Sequence, residues 1–201
     1  MTPEELKQLI KQIVNKETDT PEGAKNINSF HHQNLIDKLD TFTNAYITAA
    51  LFTSTDNLTY NHGDKKDEFD PEYDDDEKSG VEDNGGEPLD KKYTINDIDL
   101  KTLIKMVKDC REFKKKYEEL YESAGWDDEQ AGHDFWLTRN GHGAGFWSRD
   151  SSELNNSDLF QQGGDEAIEQ VGKLLTKAAK SYGEYNLYLG DGESDGTIFG
   201  G

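Results

Sequence analysis

The stretch of the chain whose residue types could do chemistry is GHDFWLTRNGHGAGFW, residues 132–147. Within ten positions it places His133, Asp134, Arg139, Asn140 and His142. A histidine that titrates near neutral pH beside a carboxylate can act as a general base or a metal ligand, so both histidines and the aspartate are candidate catalytic residues. An arginine can hold a phosphate or carboxylate, which makes Arg139, Asn140 and His142 candidates for binding a ligand or partner. In the simpler alternative these side chains stack on tryptophans or cap backbone groups.

Four aromatic rings accompany these polar residues: Phe135, Trp136, Phe146 and Trp147. Proteins that bind single strands stack bases on such rings, but they combine stacking with a basic groove. This chain has a formal net charge of −20, so core packing is favoured for most of the rings. Trp136 and Trp147 are kept as candidate contacts to a ligand or partner.

The runs HDFWLTRN and AGFWSRD resemble two strands joined by GHG. Asn140-Gly141 is a strong turn signal, since both residues tolerate positive φ. The sequence therefore predicts an aromatic β-hairpin with a polar tip. Arg139 and His142 would lie at that tip, where substitution would cost little stability.

Apolar periodicity predicts the other elements. It indicates an N-terminal helix from Thr2, a second helix over residues 34–52, a long helix within 94–125 and a last helix over 165–182. YNLYLGD and GTIFG near the C-terminus read as short strands. The predicted fold is α+β, with about four helices packed on a small antiparallel sheet that contains the aromatic hairpin. The inward positions of the last helix include Ile168, Val171, Leu174, Leu175 and Ala178.

Length and composition indicate one domain over residues 1–201. Hydrophobic and charged residues each make up 32% of the chain. This hydrophobic fraction is low for a packed domain. Cys110 is the only cysteine, so no internal disulfide forms, as expected in a reducing cytosol. The N-terminal residues show neither a signal peptide nor a membrane span. We expect a soluble cytoplasmic protein without a metal or other cofactor.

Half of the net charge is concentrated in residues 64–90, which contain thirteen acidic residues and three lysines. This composition predicts a flexible acidic insertion over residues 57–92. Its densest part is the candidate acidic surface: Asp70, Glu72, Asp74, Asp75, Asp76 and Glu77. The segment could imitate the phosphate spacing of DNA and occupy a basic groove on a host protein, or it could be a solvated linker.

Two further motifs give weak metal signals. His31-His32 has no third ligand beside it and is expected to be exposed in a turn. DGESDGTI, residues 191–198, places Asp191, Glu193, Asp195 and Gly196 like the start of a calcium loop, but the acid at the twelfth position is missing. An acidic turn is favoured there.

The motif AGHDFWLTRNGHGAGFW resembles the signature of a family of small uncharacterised proteins encoded by bacteriophages and related mobile elements. The segments AYITAALFTSTD, DCREF and AAKSYGEYNLYLGDG resemble that family in the same order. Phe52 and Ser148 stand where Trp and Asp would be expected in relatives. The resemblance implies phage origin and implies no particular reaction.

Three functions remain open. The first is an accessory protein that binds a host protein with a basic surface, with inhibition by DNA mimicry as its specific form. The alternative is a small enzyme, or a metal or phosphate site, at His133, Arg139 and His142. The second alternative is a structural or assembly component of the virion. The first is favoured because acidity is the chain's most unusual property and no complete catalytic set is present. Direct binding to nucleic acid or membrane is not expected.

Overall fold

The computed structural model describes residues 4, 8, 21–56, 86–149, 154, 157–190 and 196–201. These residues form a mostly helical α+β arrangement with one two-stranded antiparallel sheet. The helices are α1 Pro21–Ile36, α2 Thr41–Thr53, α3 Leu100–Ser123, α4 Asp128–Arg139 and α5 Asp158–Lys180. The strands are β1 Leu187–Leu189 and β2 Ile198–Gly200, and Leu89–Lys91 and Ile95–Asp97 form short 3₁₀ helices. The expected α+β class is confirmed, with five described helices instead of about four.

Side-chain caps fix where four of the helices begin. Each cap accepts a hydrogen bond from a backbone N–H in the first turn, which would otherwise lack a partner. The capping residues are Asp40 for α2, Asp99 for α3, Asp127 for α4 and Ser157 for α5.

The core is centred on the crossing of α2 and α4. Gly132 lies at the closest approach, since a Cβ atom there would be 2.2 Å from the carbonyl oxygen of Phe42. Beside the crossing, the rings of Phe113 and Phe135 stack with their centroids 4.1 Å apart. The ring of Phe146 also stacks on Phe113, with 5.8 Å between the centroids. The rings of the motif are therefore mostly core residues.

The strands predicted at the C-terminus are confirmed. Leu187 pairs with Gly200, Tyr188 with Phe199 and Leu189 with Ile198. The sheet is attached to the start of α3, where the Asp99 N–H donates to the Ile198 carbonyl at 2.8 Å.

The predicted aromatic hairpin is wrong, because GHDFWLTR belongs to α4. Phe135 and Trp136 are neighbours in sequence and are both buried, which a helix surrounded by α2, α3 and α5 allows. A helix buried on several sides lacks a clear amphipathic stripe. Asn140-Gly141 ends this helix: Gly141, at φ 69°, and His142 donate their N–H groups back to Thr138 and Leu137. This is a Schellman C-terminus and not a hairpin turn.

Other boundaries also differ from the prediction. The helix expected over residues 34–52 is divided by a turn after Ile36, and α1 begins at Pro21, well before the predicted start at residue 34. The last helix begins earlier, at Asp158, and contains a break at Gly164 with φ 61°. Leu174 is 56% exposed and does not face inward as expected. The predicted N-terminal helix falls almost entirely outside the described residues.

Residues 57–85 of the predicted insertion lie outside the described residues, whereas the chain that follows joins the core. Leu89 is buried, and its N–H donates to the Ser54 carbonyl at 2.9 Å. The N–H of Asp56 donates to the carbonyl of Glu87 at 3.0 Å. The described residues on the two sides of the 57–85 segment are therefore adjacent.

Candidate functional site

Arg139 is the most buried cation of the motif. Its Nη1 donates to Asp109 Oδ2 and to the hydroxyl of Tyr46, both at 2.8 Å. Its Nε and Nη2 donate to the carbonyls of Gly183 and Tyr182. The guanidinium carbon also lies 5.0 Å from the centre of the Tyr185 ring. The expected position of Arg139 at an exposed tip is wrong. Its hydrogen bonds connect α2, α3 and the loop that contains Tyr182 and Gly183.

The polar groups around Arg139 are also bound to internal partners or stay neutral. Lys105 forms an ion pair with the same Asp109 carboxylate. Burial raises the pKa of the Tyr46 hydroxyl well above its ordinary value, and neighbouring Cys110 adds to this, so that the hydroxyl stays protonated. Burial likewise raises the pKa of Tyr182 to about 12. Near neutral pH the Tyr46 hydroxyl is therefore a neutral hydrogen-bond acceptor for Arg139, and the neutral Tyr182 ring lies beside the guanidinium.

Asp134 is the second buried charged residue of the motif, with no exposed surface. Its carboxylate accepts from Trp126 Nε1 at 2.9 Å and from Gln130 Nε2 at 3.0 Å. Arg149 binds it through two nitrogens, with Nε 2.9 Å from Oδ2. Four donated contacts to one carboxylate hold it as a structural acceptor. Asp134 thus fixes the loop after α4 to the helix itself.

The candidate residues His133, Asn140 and His142 are not brought together with Arg139 into one site. Asn140 bonds the Trp136 carbonyl and accepts from the N–H of Tyr185 at 2.7 Å. His142 is half-buried at the helix end, and desolvation lowers the pKa of its imidazole. None of the described hydrogen bonds of Arg139 involves either histidine.

The two tryptophans of the motif have different environments. Trp136 is buried, and its Nε1 donates to Thr53 Oγ1 at 2.7 Å. Trp147 is 43% exposed. Lys180 Nζ lies 5.8 Å from the centre of its ring. Of the two candidate contact residues, only Trp147 can reach a ligand or partner.

Trp147 borders a cleft of about 300 Å³, hereafter the Trp147 cleft. Its lining consists of Trp126, Phe146, Trp147, Arg149, Asp165, Ile168, Glu169, Gly172 and Lys173. The volume is at the lower end of the range for small-ligand pockets, roughly 300–1,000 Å³. Sequence patterns gave no signal for this site, because α5 supplies five of its nine lining residues from outside the motif.

One group of acids lies close enough to hold a metal ion. Oxygens of Glu118, Glu122 and Asp128 are all within 4.8 Å of one another. Asp128 already accepts from Lys114 Nζ and from the hydroxyl of Tyr121 at 2.6 Å. The Asp128 carboxylate is therefore already neutralised by the Lys114 ammonium group. We interpret these acids as part of the connection between α3 and α4.

The weaker motifs do not form a described site. His31 and His32 lie in α1, and not in a turn. His31 is buried, while His32 Nε2 is 2.8 Å from the carbonyl oxygen of Ile98. The acids of the calcium-like stretch, Asp191, Glu193 and Asp195, lie outside the described residues, as does the candidate acidic surface. Among the helices that the structure describes, none has the length and apolar character needed to cross a membrane.

Sequence reasoning missed the partners of the charged residues in the motif. Asp109 and Tyr46 are 30 and 93 positions from Arg139. Arg149 stands just beyond the motif and carries no spacing signal that links it to Asp134. Comparison with family models, with curated proteins and with solved structures found no match.

Proposed function

We propose that this protein is a phage-encoded accessory protein that binds a host protein with a basic surface in the host-cell cytoplasm. The proposal rests on the roles that the residues of the motif GHDFWLTRNGHGAGFW have in the structure. Its buried charges, Arg139 and Asp134, are saturated by internal partners. Its exposed ring, Trp147, borders an open cleft. This arrangement suits recognition of a partner more than a reaction.

Charge supports a basic partner. The chain has 42 acidic residues against 22 lysines and arginines. Such an excess attracts cationic surfaces and speeds their encounter at low salt. On the described surface, the first half of α5 carries Asp158, Asp165, Glu166 and Glu169 but no basic residue. The candidate acidic surface from Asp70 to Glu77 would add to this attraction, with DNA mimicry as its specific form.

The test is capture of partners from infected cells, followed by titration of the purified captured protein. We expect a basic host protein whose binding weakens steeply as salt is raised. The variant in which Asp74, Asp75 and Asp76 are all replaced by Asn should bind more weakly than the native chain. A captured protein with an acidic surface, or binding that salt does not change, would contradict the proposal. Co-purification with virions alone would favour a structural component.

A further inference from the structure

Phe30 is a large apolar side chain on α1 that is open to solvent. Of the large hydrophobic residues exposed in the described part of the chain it is the most exposed, at 68%. The core-facing side of α1 carries His31 and Leu35, which are buried. Because an α-helix has about 3.6 residues per turn, Phe30 lies to one side of that face. A second helix packed alongside α1 would cover its ring.

The first twenty residues of the chain carry an apolar stripe that needs a partner. The spacing of the apolar positions places them on one side of a helix: Leu6, Leu9, Ile10, Ile13 and Val14. In the structure Glu4 and Gln8 are helical and exposed. By the same helical periodicity, both fall on the side opposite to the stripe. The exposed positions are thus the ones that an amphipathic helix turns to solvent.

The chain length between the stripe and Phe30 favours α1 as the partner. Residues 15–20 separate Val14 from the start of α1 at Pro21. A connection of this length suits two antiparallel neighbouring helices, which are typically joined by about 2–8 residues. Phe30 lies nine positions beyond Pro21, or about 13 Å along the helix axis. Nearly the same distance back from Val14 reaches Leu6, which would therefore lie opposite Phe30.

Charge distinguishes this segment from the other long stretch outside the described residues. Residues 1–20 contain four acidic residues and three lysines, so the segment is nearly neutral. Residues 57–85 contain eleven acidic residues and three lysines, a composition that favours solvent. Burial of apolar surface drives such a contact, so the segment with the apolar stripe is the better occupant of the Phe30 flank.

We propose that residues 3–14 form a helix antiparallel to α1 and cover Phe30 with the start of their apolar stripe. Leu6 and Leu9 would contact the ring, while Glu4 and Gln8 stay exposed as the structure describes them. The contact removes the stripe and the most exposed ring from water together. It does not depend on the proposed function.

The first test is hydrogen–deuterium exchange of the full-length protein, read by mass spectrometry on the peptide that contains residues 3–14. We expect its amides to exchange more slowly than in an unfolded chain, and this protection to be lost in Phe30→Asp. Phe52→Asp is the matched control, because that ring is 60% exposed on α2 and should leave the protection unchanged. In both variants α3 should stay protected, since neither ring is in the core. No protection in the native chain, or equal loss in the two variants, would overturn the proposal.

Disulfide trapping in two double variants tests the direction of the helix without relying on the Phe30→Asp variant. Leu6→Cys with Phe30→Cys places thiols at positions that the antiparallel arrangement brings together. In Ile13→Cys with Phe30→Cys the first thiol lies about 10 Å further along the helix. The native Cys110 is buried and stays out of the reaction. We expect the first pair to oxidise much faster, and equal rates or a faster second pair would overturn the antiparallel contact.

A dilution series tests whether the stripe instead covers Phe30 on a second copy of the chain. We expect the protection of residues 3–14 to be independent of protein concentration and the trapped disulfide to be intramolecular, as measured by the mass of the non-reduced product. Protection that is lost on dilution, or a disulfide-linked dimer, would show that the contact is between copies and that the proposal is wrong.

Discussion

At the scale of single residues, Arg139 and Asp109 form a buried ion pair on which three parts of the chain depend. Their side chains are 1% and 6% exposed. Removal of Arg139 would leave the buried Asp109 carboxylate with only the half-exposed Lys105 as its cation, and would take the donor away from the Tyr46 hydroxyl and the Gly183 carbonyl. Breaking a buried pair in this way typically costs about 3–5 kcal/mol. We therefore expect Arg139→Ala to lower the free energy of unfolding by roughly that amount, measured by urea denaturation.

Two comparisons separate this effect from general loss of charge. Lys108→Ala breaks an exposed pair with Glu112, whose charged atoms are 3.9 Å apart, and should cost less than about 1 kcal/mol. The double variant Arg139→Met, Asp109→Leu should recover much of the stability, because the one charge that loses its partner, Lys105, is half exposed to solvent. If Arg139→Ala costs no more than Lys108→Ala, the ion pair does not hold the core.

Asp128 gives the fold a specific dependence on pH. Partial burial raises the pKa of this carboxyl, but hydrogen bonds from Lys114 and Tyr121 outweigh burial, so the pKa is lowered overall. The unfolded chain then binds the proton at a higher pH than the folded chain. The stabilisation is present above the unfolded-state pKa of roughly 3.9 and is lost as the pH falls through the folded-state pKa.

The measurement is urea unfolding of the native chain and of Asp128→Asn over a series of acidic pH values. We expect the native chain to be more stable near neutral pH and the difference in unfolding free energy to shrink below about pH 4. A difference that stays constant across the acid range would show that the Asp128 carboxylate is not the group that titrates.

At the scale of elements, the contact between α2 and α4 depends on a missing side chain. Because a Cβ atom on Gly132 would lie 2.2 Å from the Phe42 carbonyl oxygen, Gly132→Ala must push the two helices apart. Overpacking of this kind typically costs about 1–3 kcal/mol. Gly143→Ala is the control, since its Cβ would have no atom within 4 Å. Equal melting temperatures for the two variants would contradict the close packing.

The adjacent ends of the 57–85 segment define a second test at this scale. The bond from Asp56 to Glu87 and the bond from Leu89 to Ser54 hold these ends together. A short Gly/Ser linker can therefore replace residues 57–85 without stretching the core. We expect thermal unfolding, followed by circular dichroism, to keep its midpoint and its cooperativity. A loss of cooperative unfolding would show that residues 57–85 contribute to the core.

The sequence predicted elements well where one face alone is buried. The interior of α3 follows such a pattern, and Leu103, Val107 and Cys110 are all buried. It misassigned α4, because Phe135 and Trp136 are consecutive in the sequence and both are buried. The predicted exposed tip around Arg139 was wrong for a related reason. The partners that decide the roles of Arg139 and Asp134 come from distant positions, and local spacing carries no information about them.

At the scale of the whole molecule, basic residues form local stripes on an acidic protein. Exposed lysines on α3 include Lys101, Lys105, Lys108 and Lys115, and those on α5 are Lys173, Lys177 and Lys180. These stripes carry few positive charges compared with the net charge of −20 on the chain. The long-range field therefore repels polyanions even where the local surface is cationic.

We expect the isolated protein not to bind DNA or RNA at physiological salt. Affinity for nucleic acid comes mainly from phosphate contacts that release counterions, and stacking on one exposed ring adds only about 1–3 kcal/mol per base. Fluorescence polarisation with labelled single-stranded and duplex oligonucleotides measures this directly. Trp147→Ala should give the same flat titration as the native chain. Micromolar binding of a single strand that Trp147→Ala abolishes would contradict the prediction, and it would show that the exposed Trp147 ring stacks on a base.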